Sequence, residues 1–274
     1  MFNKLFKRPP PPPRDFAALL EKSRKPAVHL VAHPERSTTY LGGLPELPQA
    51  EDWPRRGSRP MAFIGQIDLA TTQQCLEVEW LPKSGRLLFF YHMEDEPWGF
   101  DPADRDAWRV VYTTAPGQES PQPEDLSEDY RLNRVDLACQ RVRVFPPVDR
   151  EPAASLKLDA EEYYAYDEVR HAVYAGKPHH QVSGFPDCVQ LDCMEEEAQL
   201  ASNGLYCGDA TGYQDARAAT LRAGARDWRL LLQVDTDDDA GVMWGDCGLL
   251  YFWVKEQDAK RGDFSNVWVV LQCS

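Results

Sequence analysis

No stretch of the 274 residues approaches the ~20 consecutive apolar residues that a membrane-spanning helix needs. Cysteine is sparse and odd in number: Cys75, Cys139, Cys188, Cys193, Cys207, Cys247 and Cys273 are scattered along the chain. A disulfide framework favours a short, cysteine-dense chain with an even count, so reduced thiols packed as small hydrophobes are expected. No Cys-x-x-Cys pair exists. Cys188 and Cys193 stand near His179 and His180 without the spacing of a zinc site. No Gly-x-Ser-x-Gly elbow marks a nucleophile, and Cys207 beside His171 or His180 reads as a structural cysteine. Leu41-Gly-Gly43 runs into proline rather than a helix, which excludes a nucleotide cradle there. The segment Met1 to Pro13 lacks the apolar stretch and small-residue cleavage site of a secretory signal, so a cytoplasmic location is expected.

Positive charge is also short. Thirty Lys and Arg face 44 Asp and Glu, for a formal charge of −14. The deficit is uneven, because residues 1–36 carry +5 and leave −19 on the remainder. Such a body repels phosphate backbones, which argues against nucleic-acid binding and favours a basic protein as partner.

What is present is core material. Apolar residues make up 43% and aromatics 11%, including eight Trp, eleven Tyr and eleven Phe, ample for a packed interior. Pro9 to Pro13 form a polyproline II spacer, so residues 1–13 read as a basic, proline-rich, flexible segment. Residues 14–274 then read as a single globular domain. Asp15 caps a short helix beginning at Phe16, and Asp159-Ala-Glu-Glu162 is a capping box opening a helix that Gly176 and Pro178 end. A further helical stretch is expected over Gln214 to Arg222. Between Glu94 and Asp129, eleven acids, two arginines and five prolines form an acidic excursion, interrupted by a short strand at Trp108.

Four elements recur in the same order. Leu41-Gly-Gly43-Leu-Pro45 is answered by Val182-Ser-Gly184-Phe-Pro186, and Phe63-Ile-Gly-Gln66-Ile-Asp68 by Leu230-Leu-Leu-Gln233-Val-Asp235. Gly85-Arg-Leu-Leu-Phe-Phe-Tyr91 is answered by Gly248-Leu-Leu-Tyr-Phe-Trp-Val254, and Trp108 by Trp268. The Gln-to-Gly separations are 19 and 15 residues, and the Gly-to-Trp separations 23 and 20. The expectation is an α+β fold: a largely antiparallel sheet with a few packed helices, built from two diverged repeats at about 38–115 and 180–274. The aromatic and aliphatic runs at 85–91 and 248–254 read as strands buried on both faces, and Arg141-Val-Arg-Val-Phe145 as a half-exposed one.

These motifs resemble the YwqG-like family of uncharacterised bacterial proteins. Leu41-Gly-Gly-Leu-Pro, Trp53-Pro54 and Phe63-Ile-Gly-Gln-Ile-Asp look like its opening signature. Gly184-Phe-Pro186 with Gln190 looks like its centre. Leu230-Leu-Leu-Gln-Val-Asp, Trp244-Gly-Asp-Cys-Gly248 and Asp263-Phe-Ser-Asn-Val-Trp268 look like its close. The resemblance runs from about Thr38 to the C-terminus. It implies an internally duplicated α+β fold and carries no catalytic set across.

Chemistry must therefore come from the residues. Asp235, Asp237, Asp239 and Asp246 sit at offsets 1, 3, 5 and 12 of an EF-hand-like loop, and clustered carboxylates suit a hard divalent cation such as calcium. Glycine comes one place late, the last position is Asp rather than Glu, and the flanks read as strands. A solvated acidic connection turning near Gly241 accounts for the same residues. Trp98, Trp244 and Trp253 are candidates for a ligand groove between the repeats, against ordinary core packing. The expected function is a non-enzymatic acidic protein-binding module, with an immunity or antitoxin-like role against a basic toxin as one form. The alternative is a small-molecule or divalent-metal module, with hydrolysis as its chemistry, using the cleft between the repeats.

Overall fold

The two strands at the centre of the sheet come from sequence outside the recurring elements. In this computed structural model, which describes residues 14–274, ten strands form one sheet. The proline-rich segment 1–13 lies outside the described residues. The strands are β1 (Lys25–Ala32), β2 (Tyr40–Leu41), β3 (Ala62–Asp68), β4 (Arg86–Tyr91), β5 (Trp108–Thr113), β6 (Val135–Val144), β7 (Gln181–Val182), β8 (Trp228–Asp235), β9 (Leu249–Lys255) and β10 (Trp268–Gln272). Their spatial order is β10-β9-β8-β7-β1-β6-β2-β3-β4-β5, and all neighbours are antiparallel. The central β1–β6 pair runs in register from Lys25 opposite Val144 to Ala32 opposite Leu137. On one side of it lie β2 to β5, and on the other β7 to β10.

The sheet curls until it is nearly barrel-shaped, because large aromatic side chains on its two flanks need each other's cover. Phe89 on β4 meets Phe252 on β9 at 5.0 Å, and Trp108 meets Trp268 edge-on at 5.0 Å. Both indoles are buried, so each N–H must find an acceptor. Trp108 donates to Val267 O and Trp268 to Gly99 O, each at 2.8 Å. The segment around Gly99 lies along β10, where Leu271 N donates to Trp98 O at 3.2 Å. The acidic excursion is thus part of the closure, and Arg56 and Arg59 hold it through Asp95 at 2.9 and 2.8 Å.

Helices cover the curled sheet. Asp15 caps α1 (Phe16–Leu20), accepting from Ala18 N at 3.0 Å. Asp68, at the end of β3, caps α2 (Leu69–Cys75). The predicted capping box is present on α3 (Ala160–His171), where Asp159 and Glu162 exchange bonds with each other's backbone N–H. Next comes α4 (Met194–Ser202), which buries Met194, Ala198 and Ala201 on one face. The stretch expected over Gln214 to Arg222 is two short helices, α5 (Ala210–Gln214) and α6 (Ala218–Leu221), broken where Asp215 turns extended. Last is α7 (Glu256–Lys260). Among the described residues no helix is long and apolar enough to cross a membrane.

Candidate functional site

Buried carboxamides shape the segment that leads out of β7. Gln233, wholly buried on β8, accepts from Asp187 N at 2.8 Å and donates to His179 O at 2.6 Å. Gln181 donates to Ser183 O and Phe185 O at 2.7 and 2.8 Å. Ser183 and Gly184 both have positive φ, +64° and +84°, so residues 179–187 fold into a loop around the two amides. His180 completes it, accepting from Asp235 N at 3.0 Å and donating to Asp237 Oδ2 at 2.9 Å.

A matching frame stands on the other flank. Gln66 accepts from Glu46 N at 3.4 Å and donates to Thr38 O at 3.1 Å, while Thr39 Oγ1 accepts from Asp68 N at 3.0 Å. Tyr40 donates to Leu44 O at 2.8 Å, and Gly42 and Gly43 supply the positive φ. The β3–β4 ladder shifts register between Phe63 and Gly65, and the β8–β9 ladder between Leu230 and Leu232, at the same offset from Gln66 and Gln233. The side chains differ in kind. Where one frame has Thr38, Thr39 and Glu46, the other has His179, His180 and Asp187.

The second frame, together with the end of α3, concentrates ionisable groups. Asp187, 6% exposed, receives Arg170 on Oδ1 at 2.7 Å, His171 Nε2 on Oδ1 at 3.1 Å and His179 Nδ1 on Oδ2 at 2.6 Å. Tyr251 OH donates to its backbone carbonyl. Burial alone would raise the Asp187 pKa, yet hydrogen bonds from His171 and His179 and the charge of Arg170 hold it well below the usual carboxylate range. The bond to Asp187 raises the His171 pKa against the opposing effect of burial. His171 also places Nδ1 at 3.4 Å from Asp167 Oδ2. The His179 ring is clamped by stacking on Tyr174 at 3.9 Å, with 18° between planes. Its Nε2 has no protein partner among the described residues.

Two chemistries fit this geometry. The ligand atoms of His171, His179 and Asp187 all lie within 4.8 Å of one another, and among the described residues this is the one group of three that does so. Tetrahedral zinc with bonds of ~2.0–2.1 Å separates its ligand atoms by roughly 3.3 Å, against 2.6 and 3.1 Å for the two hydrogen-bonded pairs here and at most 4.8 Å for the third separation. Arg170 holds Oδ1 of Asp187, and a cation would have to replace the hydrogen bonds that His171 and His179 make to the carboxylate. Asp167 stands behind His171 as the outer-shell carboxylate common behind metal-binding imidazoles. Without a cation, the Asp187–His179 pair fixes one tautomer and presents Nε2 as a proton acceptor.

The four acidic-loop candidates are placed differently from one another. Asp235 and Asp237 support the histidine segment: Asp235 Oδ2 accepts from His179 N at 2.8 Å, and Asp237 binds His180. Asp237 Oδ1 also accepts from the N–H groups of Asp239 and Ala240. Asp239 and Asp246 are exposed. Of the tryptophans, Trp244 is buried against Tyr91, Trp98 is 39% exposed, and Trp253 lines a pocket of about 520 Å³. A cleft of about 550 Å³ lies at the seam between the sheet flanks, lined by Trp53, Trp108, Phe264 and Val267. The Cys188 and Cys193 thiols turn to Asp192 and Glu197, and Cys207 is buried with its pKa pushed up to about 11 by burial.

Sequence reasoning passed over Asp187 and did not join His171 to His179. One signal was available, because an acid follows the Gly-x-Pro element in both places, Glu46 after Pro45 and Asp187 after Pro186. No curated protein matches the chain. Residues 39–273 match the family described as "Domain of unknown function (DUF1963)", and the chain belongs to that family.

Proposed function

We propose that the protein binds a divalent transition-metal ion of the zinc class at His171, His179 and Asp187, leaving one coordination position for water or a small ligand. What carries this reading is the convergence of these three side chains inside a shell that orients each of them: Asp167 behind His171, Tyr174 against His179, and Arg170 on Asp187. Two imidazoles and one carboxylate suit zinc better than calcium, which takes six to eight oxygens. A metal with an open position polarises water, so hydrolysis is the reaction class to assay. Melting curves of chelator-treated protein test the reading. Zinc at about 100 times its Kd will stabilise by about 2.7 kcal/mol. Stabilisation by calcium alone, or a zinc shift that survives His179→Ala, would contradict it.

The same reading assigns the two flanks to diverged copies of one unit, about 38–115 and 180–274, in a single YwqG-like domain over 14–274. Support comes from the paired amide frames around Gln66 and Gln233 and from the shared register shift. On this view one copy kept a structural frame with threonines, and the other acquired histidines and the working site.

A second reading, an acidic surface that engages a basic protein in an immunity-like role, rests on the −19 carried by residues 37–274. Its complex would weaken steeply with salt. A pull-down at low salt that recovers no basic partner would rule it out.

A further inference from the structure

Of the two outermost strands of the sheet, one is covered along its free edge and the other is not. The segment around Trp98 runs beside β10, where Leu271 N donates to Trp98 O at 3.2 Å. β5 has a neighbour, β4, on one side only. Just beyond that ladder His92 N donates to Ala107 O at 2.8 Å, which fixes its parity. Arg109, Val111 and Thr113 therefore turn their backbone N–H and C=O groups toward β4, and Trp108, Val110 and Tyr112 turn theirs away. None of these outward groups has a hydrogen-bond partner among the described residues.

The next chain segment on that side runs alongside without pairing. Trp108 meets Trp268 at 5.0 Å and Tyr112 meets Phe264 at 5.5 Å, so residues 264–268 lie antiparallel to β5. A side chain rather than the backbone joins them, because Trp108 Nε1 donates to Val267 O at 2.8 Å. A backbone ladder would hold the two chains ~4.8 Å apart. Instead they border the cleft of about 550 Å³, whose floor is the buried apolar side chains of Trp108, Val110, Phe264 and Val267. Four consecutive residues, Trp108 to Val111, line it although their side chains alternate between faces. The edge of β5 is thus one wall of a groove.

The rim carries charge of both signs, part of it already neutralised. Arg55 binds Asp125 at 2.7 Å, and Asp106 is held by Arg56 at 3.1 Å. Arg105 donates to Ser202 O. Glu51, Asp52 and Arg109 are exposed and make no ion pair among the described residues, so the open charges are two acids and one base. With −19 on residues 37–274 behind them, the groove favours a basic segment.

We propose that this groove takes an extended, basic peptide segment of a partner protein as an added strand, antiparallel to β5 like the other neighbours in the sheet. Backbone bonds to Trp108, Val110 and Tyr112 supply the affinity. Peptide residues opposite these three share their face and point at the buried floor, so they are small. The alternate residues point outward, where lysine or arginine reaches Glu51 and Asp52. A second copy of the chain does not fit, because its own β5 forms the wall of such a groove and its charge has the same sign. The groove shares no residue with the His171–His179–Asp187 centre.

The test offers immobilised full-length protein a pool of acetylated, amidated heptapeptides with alanine at alternate positions and Lys, Glu, Val or Thr between. Lysine-rich members will be retained and glutamate-rich ones lost. The best-retained peptide is then remade twice, N-methylated either on its alanines or on the residues between them. Methylated alanines cannot donate to β5 and will weaken binding about tenfold or more, while methylation of the others will leave it within about twofold. Glu51→Lys combined with Asp52→Lys, on exposed side chains, will weaken binding without shifting the melting midpoint of the free protein. No retention from the pool, equal losses for the two methylated peptides, or binding indifferent to the charge reversals would overturn the proposal. A free protein that sediments as a dimer and is dispersed by the peptide would also overturn it, by placing a second copy in the groove.

Discussion

The side-chain amide of Gln233 joins Asp187 to His179: it accepts the backbone N–H of the first at 2.8 Å and donates to the backbone carbonyl of the second at 2.6 Å. One buried carboxamide thus sets the separation of two of the three groups at the candidate centre. Its counterpart Gln66 makes the same two kinds of bond at 3.4 and 3.1 Å around Glu46 and Thr38.

The difference in length predicts a difference in cost. Gln233→Ala strands a buried N–H and a carbonyl, at about 3 kcal/mol together. Gln66→Ala loses longer bonds and will cost about 1–2 kcal/mol. Urea unfolding of the two variants measures both, and zinc affinity should fall only in Gln233→Ala. Equal losses of stability, or zinc binding untouched by Gln233→Ala, would disconnect the frame from the site.

Asp237 ties stability to pH. Burial pushes its pKa up, but the hydrogen bonds from His180 and from the N–H groups of Ala240 and Asp239 outweigh this and lower it. A depressed folded pKa contributes stability that is present above the unfolded value of ~3.9 and lost as pH falls through the folded value. Asp237→Asn will therefore cost about 2 kcal/mol near neutrality. The gap from wild type will narrow once the pH drops below about 4. Chemical unfolding at several pH values checks this, and a gap that stays constant into acid would contradict it.

Closure of the sheet rests on a close approach at Gly99. This residue has φ +81°, and a Cβ there would lie 1.8 Å from Val269 O on β10. Gly99→Ala must move the segment off β10 and will break the Trp268 bond to Gly99 O, at about 3 kcal/mol in all. Trp268→Phe loses that bond but keeps the ring packing, and will cost about 1 kcal/mol. Thermal unfolding of both variants ranks them, and an Ala variant as stable as wild type would mean the excursion does not close the sheet.

Much of the fold was legible because its signals are local. The capping box at Asp159 and Glu162, the apolar runs at 85–91 and 248–254 and the paired tryptophans 108 and 268 each declare themselves within a few residues. The central strand β1 was not, since Lys25-Pro-Ala-Val-His-Leu-Val-Ala32 carries proline at its second position and belongs to neither recurring copy, and pairing with β6 and β7 makes it a strand. At the candidate site the acidic run 235–239 is conspicuous in sequence. Its two leading aspartates, however, spend hydrogen bonds on the neighbouring histidine segment. His171, His179 and Asp187 come from a helix end, a strand approach and a turn. Eight residues along a single helix or strand would hold such side chains at least about 12 Å apart, so folding alone unites them.

Calorimetric titration of the metal-free, full-length protein with zinc tests the central claim most directly. The account predicts one equivalent bound, with His171→Ala and His179→Ala each weakening the affinity by about tenfold or more, or about 1.4 kcal/mol. Asp239→Asn combined with Asp246→Asn should bind as wild type does. No binding by the wild type, or binding indifferent to both histidines and lost with those two aspartates, would contradict the account and return the site to the acidic loop.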